Sequence, residues 1–324
     1  MKAYFLVSDS LDGWQNLAQD EYILDHVKNG EIYLYIYINA DSVIIGKNQN
    51  AWKECNLSAM EKDKVKLVRR ISGGGAVFHD IGNVNFSFIT SEEIYDVERQ
   101  LGVILKAMRE LGIPADFTGR NDLTADGKKF SGNAFCGRGI GRQHHGTLLI
   151  DTDLTRLSNY LQVSELKIRS KGINSVRSRV CNLKEFNPNL TTENIIEKLK
   201  TAFAKEYGEP ELLHFDEKAK EEIAALYEKQ ASWEWQLGQA PVFDYELHTR
   251  FSWGESQLFL DMRDAVIKKA VFYTDALDTS LSEEIPQALL GKRFIGSEIA
   301  EALKSIGKDS TNELAEHILR EIPS

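Results

Sequence analysis

The stretch Arg69-Arg70-Ile71-Ser72-Gly73-Gly74-Gly75-Ala76-Val77-Phe78-His79-Asp80 sets an arginine pair and three consecutive glycines between two strand-like segments. Glycines without β-carbons let backbone N–H groups approach a bulky ligand closely. The arginines are planar forks suited to phosphate or carboxylate. No Gly-Lys-Ser/Thr follows, and no GxGxxG opens a helix, so neither common nucleotide-binding loop fits. A joint between two strands, in place of one between strand and helix, also bears on fold class. A flexible hairpin with surface arginines is the plainer account of any Gly-rich turn; the adjoining serine and histidine speak for a site.

Outward from this joint, Asp12 to Val27 has helical spacing of Trp14, Leu17, Ala18, Tyr22, Ile23 and Val27. Ile32–Ile38 and Ser42–Ile45 are β-rich around an Asn39-Ala-Asp turn, and further strands are expected at Lys66–Arg69, Ala76–His79, Asn83–Ile89, Asp122–Ala125 and Thr147–Ile150. Helices are expected from Tyr95 to Leu111, stopped by Gly112 and Pro114, and from Thr192 to Tyr207, capped by Thr191 or Thr192. Hairpin strands outnumber strand–helix–strand units. The expected fold class is therefore α+β, with a mixed, mainly antiparallel sheet flanked by helices. Beyond Gln239-Ala-Pro, a three-strand meander (Tyr245–Trp253, Gln257–Met262, Val266–Tyr273) leads to helices near Glu283–Leu290, Glu298–Ile306 and Thr311–Glu321. We place a domain boundary there: residues 1–245 as a catalytic domain and 246–324 as a small α+β C-terminal domain.

The 324 residues carry 39 basic and 49 acidic side chains, a formal charge of −10, with 42% hydrophobic and 27% charged residues. This is a globular composition. An acidic total counts against nucleic acid as a partner. The longest apolar run, Ile32 to Ile38, falls far short of the roughly 20 residues that span a bilayer. Residues 1–10 lack a signal-peptide pattern. Cys55, Cys136 and Cys181 show no CxxC spacing. A reduced, cytoplasmic protein, with no membrane and monomeric by default, is the expectation. By segment, residues 122–184 hold 11 basic and 5 acidic side chains, net +6, inside an acidic chain. That is either a solvated basic face or an anion-binding site.

Three segments in that stretch carry chemistry. Gly119-Arg120-Asn121-Asp122 is followed by the Asp126-Gly127 hairpin and Lys128-Lys129-Phe130-Ser131-Gly132-Asn133-Ala134. Strict alternation puts Lys129 and Ser131 on one face. A lysine there is placed to neutralise charge on a phosphate, and Asp122 to help hold Mg²⁺; the plain alternative is a lysine pair keeping a hairpin soluble. His144-His145-Gly146-Thr147 puts adjacent histidines on opposite faces, unsuited to sharing a metal. Lys171 to Arg179 is basic and hydroxyl-rich, and reads as an RNA-contact loop or a loop closing on phosphate; aromatic interleaving for base stacking is absent. Cys136 is either a buried hydrophobe or an acyl-transfer nucleophile.

In this order the segments resemble the lipoate–protein ligases. The likeness is carried by Arg69–Asn83, Gly119–Asp122, Lys129–Ala134, His144–Asp151 and Lys171–Leu183, with Asn39-Ala-Asp, Ile45-Gly and Asn50-Ala-Trp-Lys-Glu-Cys upstream. Downstream, Gln230-Ala-Ser-Trp-Glu-Trp, Gly238-Gln-Ala-Pro and Arg250-Phe-Ser-Trp-Gly resemble the family's long bacterial form. The resemblance implies a catalytic domain like that of the biotin protein ligases. It implies activation of lipoate by ATP to lipoyl-AMP with release of pyrophosphate, then transfer to a lysine of an acceptor. Acceptors would be lipoyl domains of 2-oxoacid dehydrogenases or the glycine-cleavage H protein. Arg70, Gly75, Ala76, Val77, Phe78, Lys129, Lys171 and Ser175 would meet ATP. Leu17, Arg70, Ser72, His79, Lys129 and His145 would meet lipoate, with Val77 and Phe78 as further apolar wall. Asp122 would serve Mg²⁺ and phosphates. No Ser-His-Asp constellation is visible. The competing reading is an ATP-independent octanoyl or lipoyl transferase working through a Cys136 thioester.

Overall fold

The computed structural model describes residues 1–118, 122–161, 180–237, 245–263 and 266–322. Strand β1 (Lys2–Val7) leads into helix α1 (Gly13–His26), then β2 (Glu31–Ile38) and β3 (Ser42–Ile45). Short helices α2 (Ala51–Glu54) and α3 (Leu57–Lys62) precede β4 (Lys66–Arg69), β5 (Val77–His79) and β6 (Asn83–Ser91). Helix α4 (Val97–Glu110) is followed by β7 (Ala115–Thr118), β8 (Asp122–Ala125), β9 (Lys128–Arg138) and β10 (Gly141–Leu149). Next come α5 (Leu157–Tyr160), α6 (Thr192–Tyr207), β11 (Glu211–Leu212), α7 (Glu217–Ala231) and α8 (Trp233–Gln236). The chain ends with β12 (Tyr245–Phe251), β13 (Gly254–Arg263), β14 (Val266–Thr274), α9 (Leu281–Leu289), α10 (Gly296–Lys304) and α11 (Asp309–Glu321).

The large sheet has the order β11-β1-β2-β6-β10-β9-β8-β7, and a small sheet has the order β4-β3-β5. Strands β11, β1 and β2 are parallel, and every pairing from β2 to β7 is antiparallel. The mixed, mainly antiparallel α+β reading holds. The apolar run of β2 is explained by burial on both faces. Ile32, Leu34 and Ile36 join Phe86, Phe88, Ile104 and Phe203 under α4 and α6, while Tyr35 and Tyr37 meet Leu17 and Leu24 of α1 on the other side. Between those two layers, the sheet face toward α1 becomes the floor of the site.

Differences from expectation have local causes. Helix α4 begins at Val97, later than Tyr95, because the Asp96 carboxylate accepts the Arg99 N–H at 3.1 Å. Strand β10 begins at Gly141, well before Thr147; Gln143-His144-His145 has no apolar alternation, yet both faces are covered. Helix α6 runs from Thr192 as expected, with Thr191 and Asn194 forming a reciprocal cap. A bulge between Leu123 and Thr124 pairs Lys129 with Thr124 and Ser131 with Leu123. Lys129 and Ser131 therefore lie on opposite faces, contrary to strict alternation.

The C-terminal meander, β12-β13-β14, packs on α9, α10 and α11 around Leu258, Leu260, Phe272, Ile285, Leu303 and Leu314. It touches the glycine-rich joint directly. The Gly74 N–H donates to the Ala276 carbonyl at 3.2 Å, and a Cβ on Gly73 would sit 2.5 Å from that same oxygen. Asn48 adds a second seam, accepting the Thr274 N–H at 2.7 Å and donating its amide to the Thr279 carbonyl at 3.2 Å.

Candidate active site

The site forms where the β4–β5 connection crosses the α1 face of the large sheet. Arg70 leaves the end of β4 and is buried. Its guanidinium donates to the carbonyls of Gly73 at 2.7 Å and Gly75 at 2.8 Å, and its Nε donates to Ser72 Oγ at 3.1 Å. Burial pulls this guanidinium down to about 10. Gly74 takes a φ of +95°, which an L side chain rarely adopts, and so lets the joint curl around the fork.

Ser72 Oγ lies 2.6 Å from Nε2 of His145, which β10 presents on the α1 side. His145 Nδ1 is 3.8 Å from Asp20 Oδ2 on α1. Sequence reading saw no serine–histidine–carboxylate constellation; folding hydrogen-bonds Ser72 to His145 and brings Asp20 near, though at 3.8 Å the His145–Asp20 contact is beyond hydrogen-bond distance. Asp20 was missed because a single carboxylate on an amphipathic helix carries no signal by itself. Only its placement three residues after Leu17, on the same helix face, could have drawn notice.

Burial holds three histidines neutral, two at the site and one behind it. His79, His144 and His145 are each lowered to about 3, with Arg70 adding to the effect at His79 and His145. Asn39 Nδ2 donates to His79 Nδ1 at 3.1 Å, so the proton of neutral His79 is assigned to Nε2, a buried atom without a hydrogen-bond partner in the described residues. His144 faces the opposite core, between Gln100 at 3.0 Å and Asn133 at 2.9 Å. Asp20 is raised to about 7, chiefly by burial, against the lowering pull of Ser87 and Gln143.

Cys136 donates its thiol to Gln143 Oε1 at 3.0 Å, and burial pushes it up to about 12. That is the opposite of the depressed value a nucleophilic cysteine needs. Leu17 is buried with Tyr35, Tyr37, Ile44 and Val68, and Val77 packs on the same group. Phe78 points the other way, into a cluster with Val43, Ile45 and Tyr160.

Lys129 sits further along β9. Its Nζ is 2.7 Å from Asp122 Oδ1, and its side chain lies over Gly132, where a Cβ would come within 3.1 Å of Nζ. His145 pairs with Ala134 on β9. Lys129 is thus five residues from the His145 row but, with the bulge, only four rungs, about 13 Å of strand. The structure joins Arg70, Ser72 and His145, with Leu17 lining the same face. Lys129 and Asp122 form a second locus, and a ligand touching both must be elongated. Lys171, Ser175 and the remainder of the Lys171–Arg179 loop lie outside the described residues, as do Gly119-Arg120-Asn121 and Gln239-Ala-Pro. Among the described residues, no group of three or more His, Cys, Asp or Glu could hold a metal ion. None of the helices there is long and apolar enough to cross a membrane.

Residues 12–204 match the family model for the lipoyl protein ligase A/B catalytic domain, and residues 240–321 match that for the bacterial lipoate protein ligase C-terminus. Among solved structures, P. falciparum LipL1 in complex with lipoate is 29% identical, with a TM-score of 0.86 over 98% of this chain and 99% of that one. A bipartite lipoate protein ligase from Thermoplasma acidophilum, solved in a study of it and its E2 lipoyl domain, is 29% identical. It covers 76% of this chain and 100% of its own, with a TM-score of 0.66. A lipoate-protein ligase A bound with ATP is 28% identical over 74% of this chain and 100% of its own, with a TM-score of 0.65.

Proposed function

The chain belongs to the lipoate–protein ligase family, an enzyme joining lipoate to proteins, and from that premise we propose that it works by ATP-dependent activation. Lipoate and ATP give lipoyl-AMP and pyrophosphate, and a lysine of an acceptor protein then takes the acyl group. The observation that carries this reading is the pair of loci: an arginine-backed glycine joint with an apolar wall, and a lysine on the same sheet some four rungs away. A carboxylate on a long carbon chain, met by an extended lysine side chain, spans such a distance.

Carboxylate attack on the α-phosphate brings two anions together, so positioning and charge neutralisation are the enzyme's main tasks. In the proposed complex Lys129 leaves Asp122 and clamps the lipoate carboxylate and the phosphate, acting electrostatically. Arg70 and the loop Gly75-Ala76-Val77-Phe78 meet the nucleotide, with Lys171 and Ser175 closing over it. Leu17, Ser72, His79 and His145 line the acyl side. Asp122 supplies one carboxylate, which fits Mg²⁺ carried chiefly by substrate phosphates. That ion would neutralise phosphate charge. The acceptor is a lipoyl domain or the glycine-cleavage H protein, and the enzyme is a cytoplasmic monomer divided at residue 245 into catalytic and accessory parts.

Lipoate-dependent exchange of labelled pyrophosphate into ATP tests this reading. Wild-type enzyme should exchange. Lys129→Ala should lose roughly 10²- to 10³-fold, the scale of one lost charge-stabilising donor. Cys136→Ser should retain exchange, because its thiol is bound to Gln143 and pushed up to about 12. No exchange, together with acyl transfer from a carrier that depends on Cys136, would replace this reading with the thioester transferase.

A further inference from the structure

The Ser72–His145 pair continues inward to a carboxylate that the proposed chemistry does not use. Arg70 Nε donates to Ser72 Oγ at 3.1 Å, which leaves the serine proton free to go to His145 Nε2 at 2.6 Å. Neutral His145 then carries its own proton on Nδ1, the nitrogen 3.8 Å from Asp20 Oδ2. The same Asp20 oxygen takes the Gln143 amide at 2.7 Å, and Gln143 in turn accepts the Cys136 thiol at 3.0 Å. Asp20 is 3% exposed, and its Oδ1 has no hydrogen-bond partner among the described residues. A carboxylate kept in so poor an environment, within reach of an imidazole that orients a pocket hydroxyl, calls for a reason.

We propose that Asp20 is a positioning residue: through His145 it fixes the direction of the Ser72 hydroxyl on the acyl side of the pocket. This rests on the reading of Ser72 and His145 as part of the lipoate pocket. The anion is the working form, because a negative Oδ2 3.8 Å away attracts the Nδ1–H of neutral His145 electrostatically, whereas a neutral carboxyl does not.

The surrounding groups leave Asp20 to titrate by itself near neutrality. On its own helix, Glu21 is held by Arg138 at 3.0 Å and Lys229 at 2.6 Å. Tyr35 and Tyr37 on β2 and Cys136 on β9 are pushed up, and His145 on β10 is pushed down to about 3. Arg70 lies beyond Ser72 and stays charged across the range, lowered only to about 10. Asp20 at about 7 is the member of this cluster that changes charge between pH 6 and 8.

Titration calorimetry with lipoate alone, without ATP, from pH 6 to 8.5 separates the possibilities. Wild-type protein should bind lipoate roughly tenfold more tightly at pH 8 than at pH 6. Asp20→Asn should bind weakly at every pH, with a flat profile, and Asp20→Glu should regain part of the pH response. In turnover the Asp20→Asn change should fall on KM for lipoate far more than on kcat. Nitrogen-15 shifts of His145 in the unmodified protein should show the proton on Nδ1 at pH 8, a readout that needs no variant. Wild-type affinity and pH response in Asp20→Asn, or a His145 proton on Nε2, would overturn the inference. Absence of lipoate binding by wild-type protein at any pH overturns instead the pocket reading on which it rests.

Discussion

Arg69 and Arg70 are adjacent, alike in type, and read from sequence as one anion-binding pair. Folding gives them different partners. Arg69 donates to the carbonyls of Gln49 at 2.6 Å, Lys47 at 3.0 Å, Trp235 at 2.9 Å and Gln236 at 2.8 Å, so it stitches the 46–50 loop to α8. Arg70 curls into its own glycine joint. Arg69→Met keeps the apolar stem but strands those carbonyls, each worth about 1–3 kcal/mol if left unmet. We expect a loss on the order of 3 kcal/mol, read by urea unfolding, with the chain still folded. Asp20 gives the opposite sign. Its folded value near 7 lies above the 3.8 of an unfolded carboxyl, so the stability it contributes falls as pH rises from about 4 to 7. Asp20→Asn should therefore raise stability at pH 8 by up to about 4 kcal/mol and add little at pH 4. A higher unfolding midpoint at pH 8 alongside weaker lipoate binding would mark Asp20 as kept for function.

Elements were legible where their signals were short-range. The Gly112 and Pro114 stop after α4, the Asp126-Gly127 hairpin with both residues at positive φ, and the Thr191 cap are local chemistry, and each stands where it was read. Helix α7 was not anticipated. Only Ala219, Ile223 and Gln230 are buried along Glu217–Ala231, too narrow a stripe to stand out from a charged run. The first half of strand β10, ahead of the expected Thr147, escaped for a related reason, since it buries histidines and glutamine where apolar residues usually signal a strand. Helix α1 supplies the prediction at this scale. Its cap, Asp12, accepts the Trp14 N–H at 3.0 Å and pairs with Lys66 at 2.7 Å. Asp12→Ala should cost about 1 kcal/mol, mostly from the cap, because the partly exposed ion pair adds little. Thermal unfolding would show it, and since α1 carries both Leu17 and Asp20, lipoate affinity should fall with it.

At the scale of the molecule, burying three neutral histidines has a consequence for acid stability. Each is lowered to about 3 from an ordinary 6.5, so the stability they support is full above pH 6.5 and drains as pH falls toward 3. Asp20 works the other way over part of that range, but it is one group against three. Unfolding free energy should drop steeply from pH 6.5 to 5. His144→Phe, which leaves the Ser72–His145 pair untouched, should lower stability at pH 7.5 by removing the hydrogen bonds to Gln100 and Asn133, yet flatten the acid slope. Urea titrations at pH 7.5, 6.0 and 5.0 would decide this, and an unchanged slope would mean that His144 is not the buried neutral group described.

By itself the sequence determined what depends on neighbours along the chain. It specified the glycine joint, the hairpins and helix stops and the mixed sheet they require, and it singled out Lys129, Arg70, Ser72 and His145 as candidates for the proposed chemistry. Tertiary structure alone decided which of those meet. Ser72 and His145 lie 73 positions apart, and Asp20 and Gln143 lie 123 apart. One bulge moves Lys129 to the face opposite Ser131. No periodicity reports such contacts, because they arise only when sheet register, helix packing and the exclusion of water bring polar groups together and force them to satisfy one another.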